Sequence, residues 1–319
     1  MEVFRVAHLL YQLCIQGEIT QIYQQLIRKE HRTAEEEAML KSYQQRFFQK
    51  NEPFQHVDKW IANVVNCYHS YFIDVLTRRK DVSQAESDLL IGLGKSTFSH
   101  AQSMEEIEEE LRQIFKEKGY SFVGGRTFPH YGPYIWQTTE SKKVDVELLN
   151  EIETVQVFFL DDFLMLGWLD YATFGEIGAG GWASKEGIYC ILPRYREYLN
   201  EDQYLVSFLK HEAQHINDYK HYPNLSGKEL EYRAKLIELI YYSDHRLLER
   251  LIHQAINNDI PHNYASYQIM QQLSTFFFKK NEQKDMDKWL NIHYKEICQY
   301  GRKLYCQHTD ILKGLRTGG

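Results

Sequence analysis

The 319-residue sequence lacks three features that would assign it to common classes of protein. It contains no apolar run of about eighteen residues, so we expect no transmembrane helix. It has no basic excess, since 37 Lys and Arg stand against 44 Asp and Glu, and this argues against a nucleic acid or an anionic membrane as partner. Its five cysteines have neither zinc-ribbon nor disulfide spacing. We therefore predict a protein of a reducing compartment, the cytoplasm.

An apolar run near the N-terminus, Val6 to Ile15, is interrupted by His8 and Gln12. A signal peptide would have a basic start and a small-residue cleavage site, and this run has neither. We interpret it as an amphipathic helix.

Length and periodicity predict two domains, or one domain with a large helical extension, and an α+β, predominantly helical fold. Residues 1–118 carry apolar side chains at helical spacing, and a capping box of Thr33 and Glu36 opens one helix. We expect a helical domain there. Turn-rich and alternating segments predict a small mixed sheet from 119 to about 192, and helical periodicity returns after it. The second predicted domain is therefore residues 119–319.

The motif that carries chemistry is His-Glu-x-x-His, formed by His211, Glu212 and His215. Apolar residues at spacings of three and four predict a helix from about 202 to 220 around it. Positions i and i+4 share a helix face, so both imidazoles can bind one metal ion. Two histidines, an open position for water and a carboxylate that takes the water's proton form the layout of a zinc hydrolase. We predict Zn²⁺ as cofactor and Glu212 as general base.

A third protein ligand is needed, and Glu231 is our first choice. Ser226 and Glu229 read as a capping box that opens the next helix, which gives Glu229 a local role and leaves Glu231 free. A loop of about five residues brings the two helices together. His221 is the alternative ligand, and we expect Asp218 to contact a ligand rather than to be one.

His211, His215 and a later helix glutamate resemble the gluzincin, or thermolysin-like, branch of the zincin metallopeptidases. The resemblance covers roughly residues 180–245. It implies a small zincin-like sheet with active-site helices, and Zn²⁺ held by His211, His215 and Glu231. It also implies a peptide or protein substrate in an extended conformation, paired with the sheet edge within residues 182–192.

The chain departs from the family at Lys235, where the family has an acid four residues after its ligand glutamate. Glu238 lies two turns after Glu231 on the same helix face, and could orient a ligand histidine instead. Cys190 precedes the motif, as a cysteine does in peptide deformylases, but its alternating neighbours favour a buried cysteine in a strand. Candidates for stabilising an oxyanion are His245, His262, Tyr241, Tyr242 and Tyr264.

The sequence therefore predicts a zinc-dependent hydrolase, most simply a peptidase. The alternative is a non-catalytic intracellular helical protein that binds a partner, with a vestigial or structural metal site. The sequence makes no prediction of oligomeric state.

Overall fold

The structure, a computed structural model, describes residues 13–14, 16–49 and 52–317. The predicted helix from Val6 to Ile15 lies outside these residues except at Leu13 and Cys14. The fold class is confirmed as α+β and predominantly helical. None of the helices in the described ranges is long and apolar enough to cross a membrane.

The chain divides into two compact units. Unit 1 is Met1–Thr138 with Asp161–Gly178, and unit 2 is Thr139–Leu160 with Ala179–Gly319. The predicted boundary at 118/119 falls inside unit 1. Of the three unit limits, 138/139 and 160/161 fall within long strands, and 178/179 falls between two elements. A division into domains at 118/119 stays a prediction.

Unit 1 is built on helices that bury one apolar face each. Its elements are α1 (Ile19–Arg28), α2 (Ala34–Tyr43), a π-helical turn (Gln44–Phe48), α3 (Lys59–Leu76), α4 (Val82–Thr97), α5 (Met104–Glu117), the short strands β1 (Ser121–Val123), β2 (Arg126–Thr127) and β3 (His130–Tyr131), and α6 (Gly167–Thr173). The predicted capping box of Thr33 and Glu36 is confirmed at the start of α2. Phe47, Phe72 and Phe115 are fully buried in the core.

The long strands are β4 (Tyr134–Glu147) and β5 (Ile152–Leu166). Unit 2 continues with β6 (Gly181–Ala183), β7 (Ile188–Ile191), α7 (Asp202–Tyr204), a π-helical stretch (Leu205–Lys210), α8 (His211–His221), α9 (Gly227–Tyr241), α10 (Arg246–Gln254), α11 (Pro261–Phe278), α12 (Met286–Leu290) and α13 (Tyr294–Thr317). The sheet order is β1-β4-β5-β7-β6, with β7 parallel to β5 and antiparallel to β6.

The edge strand predicted within residues 182–192 is β6, while β7 lies one strand further in. Gly181 opens β6 with a φ of +156°, and a Cβ there would lie 2.0 Å from the Tyr189 carbonyl oxygen. Glycine is thus required by the close approach of two backbones, as expected where a strand begins against its neighbour. The motif helix α8 packs against this edge strand.

The helix predicted from 202 to 220 is confirmed, with one addition. It runs from Asp202 to His221, and its middle part, Leu205–Lys210, is π-helical. Such wide turns within helices are frequent at functional sites. The π-helical stretch ends directly before His211, the first residue of the motif.

Helix α9 lies at the centre of unit 2, where it packs against α8, α11 and α13. The predicted capping box is confirmed: Ser226 caps the helix, and the Glu229 carboxylate accepts from the Ser226 backbone N–H. Glu229 is therefore occupied at the helix start. The rest of α9 is almost entirely buried, including its charged residues Arg233, Lys235 and Glu238.

Candidate metal centre

The three predicted ligands meet between α8 and α9. His211 Nε2 lies 3.1 Å from His215 Nε2, and both imidazoles are buried. Glu231 reaches across from α9, with Oε2 3.5 Å from His211 Nε2 and Oε1 3.4 Å from His215 Nε2. Two nitrogens and a carboxylate thus converge within a few ångströms.

These spacings fit a zinc ion. Ligand atoms about 2.0–2.1 Å from a tetrahedral metal lie about 3.3 Å from each other. The distance of 3.1 Å between the two Nε2 atoms and that of 3.4 Å between His215 Nε2 and Glu231 Oε1 are close to this value. His211 Nε2 lies 3.5 Å from the other oxygen of Glu231, Oε2. Imidazole nitrogen and carboxylate oxygen are also donors that zinc accepts, and two His with one Glu is a ligand set of catalytic zinc sites. The types of residue present therefore fit a zinc ion.

The Glu238 carboxylate contacts Nδ1 of His211, the ring nitrogen that does not face the cluster. Its Oε1 lies 2.7 Å from His211 Nδ1, and both side chains are buried. This contact confirms the expected partnership between Glu238 and a motif histidine. An acid at Nδ1 fixes the ring orientation and turns Nε2 toward the cluster, as carboxylates do behind metal-binding histidines.

The electrostatics of the cluster favour a cation. Burial disfavours the imidazolium form of His211, but Glu231 and Glu238 outweigh it and raise the pKa of His211 to about 10. Burial also opposes ionisation of Glu238, yet the bond to His211 lowers the pKa of Glu238 to about 2. Burial also opposes ionisation of Glu231, but the contacts with the histidines hold the pKa of Glu231 well below the usual range. Two ionised carboxylates therefore enclose the site, and a proton on His211 balances part of their charge.

A residue that the sequence did not assign to the metal site is His262, in the first turn of α11. Its Nδ1 lies 2.6 Å from Glu231 Oε2, and its side chain is 57% exposed. Ligand atoms of His211, Glu231 and His262 all lie within 4.8 Å of one another. The sequence suggested His262 only as an oxyanion candidate, because it follows Glu231 by 31 residues and a separate helix lies between them.

Glu212, the predicted general base, is half-buried next to His211. It makes no hydrogen bond or ion pair within the described part of the chain. The pKa of the Tyr195 phenol is raised mainly by burial, and the nearby Cys190 and Glu212 raise it further. A carboxylate without a fixed partner can accept a proton from a water at the cluster.

The alternative ligand, His221, lies elsewhere. Its Nε2 is 2.9 Å from Glu151 Oε1 at a half-exposed position. Asp218 is fully buried and pairs with Arg233 across α8 and α9, with Oδ1 2.8 Å from Nε. Asp218 thus joins α8 to α9, and it also interacts electrostatically with the motif histidine His215.

Arg233 extends this packing to α13. It donates to Tyr305 Oη at 2.8 Å and to Thr309 Oγ1 at 3.0 Å, and its side chain is almost fully buried. The guanidinium therefore ties α8, α9 and α13 together behind the cluster.

The other candidates from the sequence make contacts of their own. Lys235, the departure from the family pattern, is buried and donates to Gln254 at 2.8 Å. His245 Nε2 lies 3.0 Å from the Ile292 carbonyl oxygen, and the rings of Tyr241 and Tyr264 lie beneath Lys210 and Lys228. Cys190 is confirmed as a fully buried strand residue, and burial raises the pKa of its thiol to about 12.

Comparison of this chain with protein-family models, with curated proteins and with solved structures found no match in any of the three.

Proposed function

We propose that this protein is a zinc-dependent hydrolase, of the gluzincin type, whose substrate is a peptide or protein in an extended conformation. The observation that carries the proposal is the convergence of His211, His215 and Glu231, with 3.1 Å between the two Nε2 atoms and 3.4 Å between His215 Nε2 and Glu231 Oε1, close to the donor separations around a tetrahedral zinc. The buried acid behind His211 adds support, because such an acid is a regular companion of metal-binding histidines.

His211, His215 and Glu231 would hold Zn²⁺, which when bound lowers the pKa of a water ligand to about 7 and polarises a carbonyl. Glu212 accepts the proton of the attacking water and passes it to the leaving amine. Glu238 keeps the Nε2 atom of His211 directed into the cluster. Of these five side chains, three thus bind the metal, one moves a proton and one orients a ligand.

The edge strand supports the choice of an extended substrate. β6 is the last strand of the sheet and contacts α8, which carries the motif. A peptide that added to this edge by strand pairing would run past the motif helix. Peptide bonds are therefore the substrate that this arrangement favours.

The test is a comparison of Glu212→Gln with His211→Ala in the full chain. Glu212→Gln should retain one zinc per chain and lower peptide hydrolysis by about 10²–10⁴-fold, because only proton transfer is removed. His211→Ala should lose both metal and activity. His221→Ala is the matched control and should retain both, since its histidine pairs with Glu151. An undiminished hydrolytic rate in Glu212→Gln would contradict the mechanism.

We also propose a cytoplasmic location. All five cysteines are free, and Cys14 and Cys190 are buried in the cores of their units. Free thiols are typical of a reducing compartment. Detection of the protein in cell fractions, with its thiols titrated before and after denaturation, tests this proposal.

A further inference from the structure

His262 meets Glu231 at the edge of the cluster without a hydrogen bond between them. Its Nδ1 lies 2.6 Å from Glu231 Oε2, yet Oε2 is buried and has no hydrogen-bond partner among the described residues. Buried polar atoms are nearly always paired, so this exception needs an explanation. A metal ion bound by both atoms would explain it, because carboxylate oxygen and imidazole nitrogen are both zinc ligands.

The distances around His262 are compatible with a shared ion. Ligand atoms of His211, Glu231 and His262 all lie within 4.8 Å of one another. His215 Nε2 lies 3.1 Å from His211 Nε2 and 3.4 Å from Glu231 Oε1. Four side chains thus bring three imidazole nitrogens and a carboxylate close together, and four protein ligands are the usual number in a closed zinc site.

We infer that His262 is a fourth protein ligand of the metal site, which closes the site at rest and gives up its position when water or substrate enters. The inference rests on the metal site in the proposed function. A catalytic zinc site has three protein ligands and an open position, whereas a closed site has four. A ligand that can be displaced lets one cluster take both forms.

The position of His262 suits a ligand that leaves. It lies in the first turn of α11, a helix that packs along α9 and carries none of the other three ligands. Its side chain is 57% exposed, whereas His211 and His215 are buried. The ring therefore has space to withdraw into solvent. It also has space to move from 2.6 Å to the separation of about 3.3 Å expected between two ligands of a tetrahedral ion.

The experiment compares the full-length wild type with His262→Ala, His262→Cys and His221→Ala. Affinity for Zn²⁺ and Co²⁺ is measured by competition with a chelator. His262→Ala should bind Zn²⁺ at least about tenfold more weakly, because loss of even an outer partner of a ligand costs about that much. His221→Ala is the matched control and should equal the wild type, since His221 pairs with Glu151 instead.

Cysteine at position 262 gives a direct sign of coordination. Nδ1 is the ring nitrogen nearer to the backbone, so a thiolate at this position can reach the same ion, and thiolate is a zinc ligand. With one Co²⁺ per chain, His262→Cys should show thiolate-to-metal absorption in the near ultraviolet. The wild type, with its five native cysteines, should not. The metal affinity of His262→Cys should also return toward that of the wild type.

Azide, a small external ligand, reports whether the site is closed. An internal ligand lowers the apparent affinity for an external one by the fraction of molecules in which the position is open. Changes in the visible spectrum of the Co²⁺ form should therefore need at least about tenfold less azide in His262→Ala than in the wild type. Circular dichroism and thermal unfolding of the metal-free variants check that each retains the fold, which the exposure of His262 leads us to expect.

Three results would overturn the inference. A folded His262→Ala protein with wild-type affinity for metal and for azide shows that His262 is not a ligand. A His262→Cys protein that binds Co²⁺ without thiolate absorption shows the same. If the wild type binds no metal, the inference and the proposed function fail together. A wild type that meets all these expectations but hydrolyses no peptide supports the inference and refutes the proposed function.

Discussion

Removal of the acid behind His211 provides a quantitative test of the site. Glu238 is buried, ionised because its pKa is lowered to about 2, and bonded to His211 Nδ1 at 2.7 Å. Glu238→Gln keeps an oxygen acceptor at this position but removes the charge. Glu238→Ala removes both and leaves Nδ1 buried without its partner.

The two substitutions should weaken metal binding by different amounts. A hydrogen bond to a charged group contributes about 1.5–3 kcal/mol, against about 0.5–1.5 kcal/mol for a neutral one. The difference of about 1 kcal/mol predicts a roughly fivefold loss for Glu238→Gln. Loss of the whole contact should cost about 10–100-fold, or about 1.4–2.7 kcal/mol, for Glu238→Ala.

The assay is competition for Zn²⁺ between the full chain and a chelator of known affinity, at fixed pH. Glu229→Gln is the matched control, because Glu229 lies on the same helix but is bonded to Ser226 at the cap. Its metal affinity should equal that of the wild type. The reasoning is refuted if folded Glu238→Ala binds zinc as tightly as the wild type, or if the two Glu238 variants lose affinity equally.

Two further predictions concern stability. Arg233→Met should lower the free energy of unfolding by about 3–5 kcal/mol, measured with denaturant, because Asp218 is left buried without its partner. The double variant with Asp218→Leu should recover most of this loss. A double variant no more stable than the single one would contradict this account. Burial raises the pKa of Glu108 to about 7, although Tyr68 donates a hydrogen bond to its carboxyl group. The folded protein therefore keeps a proton that the unfolded chain loses near pH 4.5. The free energy of unfolding should thus fall as the pH rises from about 4.5 to about 7. Glu108→Gln should therefore raise stability at pH 8 by about 3 kcal/mol and leave it unchanged at pH 4, as measured by unfolding at both pH values, and equal effects at the two would exclude ionisation as the cause.

Local spacing explains what the sequence could predict about the site. The i, i+4 separation of His211 and His215 fixes their common face whatever surrounds the helix. The capping box separates Glu229 from Glu231, since a side chain bonded to its own helix start cannot also reach across to another helix. Glu238 follows Glu231 by two turns, and periodicity alone puts both on the face that α8 covers.

The rest depended on tertiary packing. His262 reaches Glu231 because α11 packs along α9, and no spacing within the sequence encodes that pairing. The π-helical stretch Leu205–Lys210 has the same apolar pattern as an α-helix and gives no separate signal. Similarly, both β6 and β7 are short and follow glycines, so only the pairing itself decides that β6 is the edge.

Three contacts along α8 and α9 fix the register of these helices, and two of them belong to the metal centre. His211 contacts Glu238, and Glu231 contacts both histidines. Asp218 pairs with Arg233, two residues after Glu231. The buried Asp218–Arg233 ion pair joins the same two helices through residues outside the ligand set. Binding of a metal ion would stabilise the folded protein by an amount set by the Kd and the free metal concentration, about 2.7 kcal/mol when that concentration is 100 times the Kd. Because the Asp218–Arg233 pair lies outside the ligand set, its loss should lower the stability of the metal-free protein and of the metal-bound protein by similar amounts.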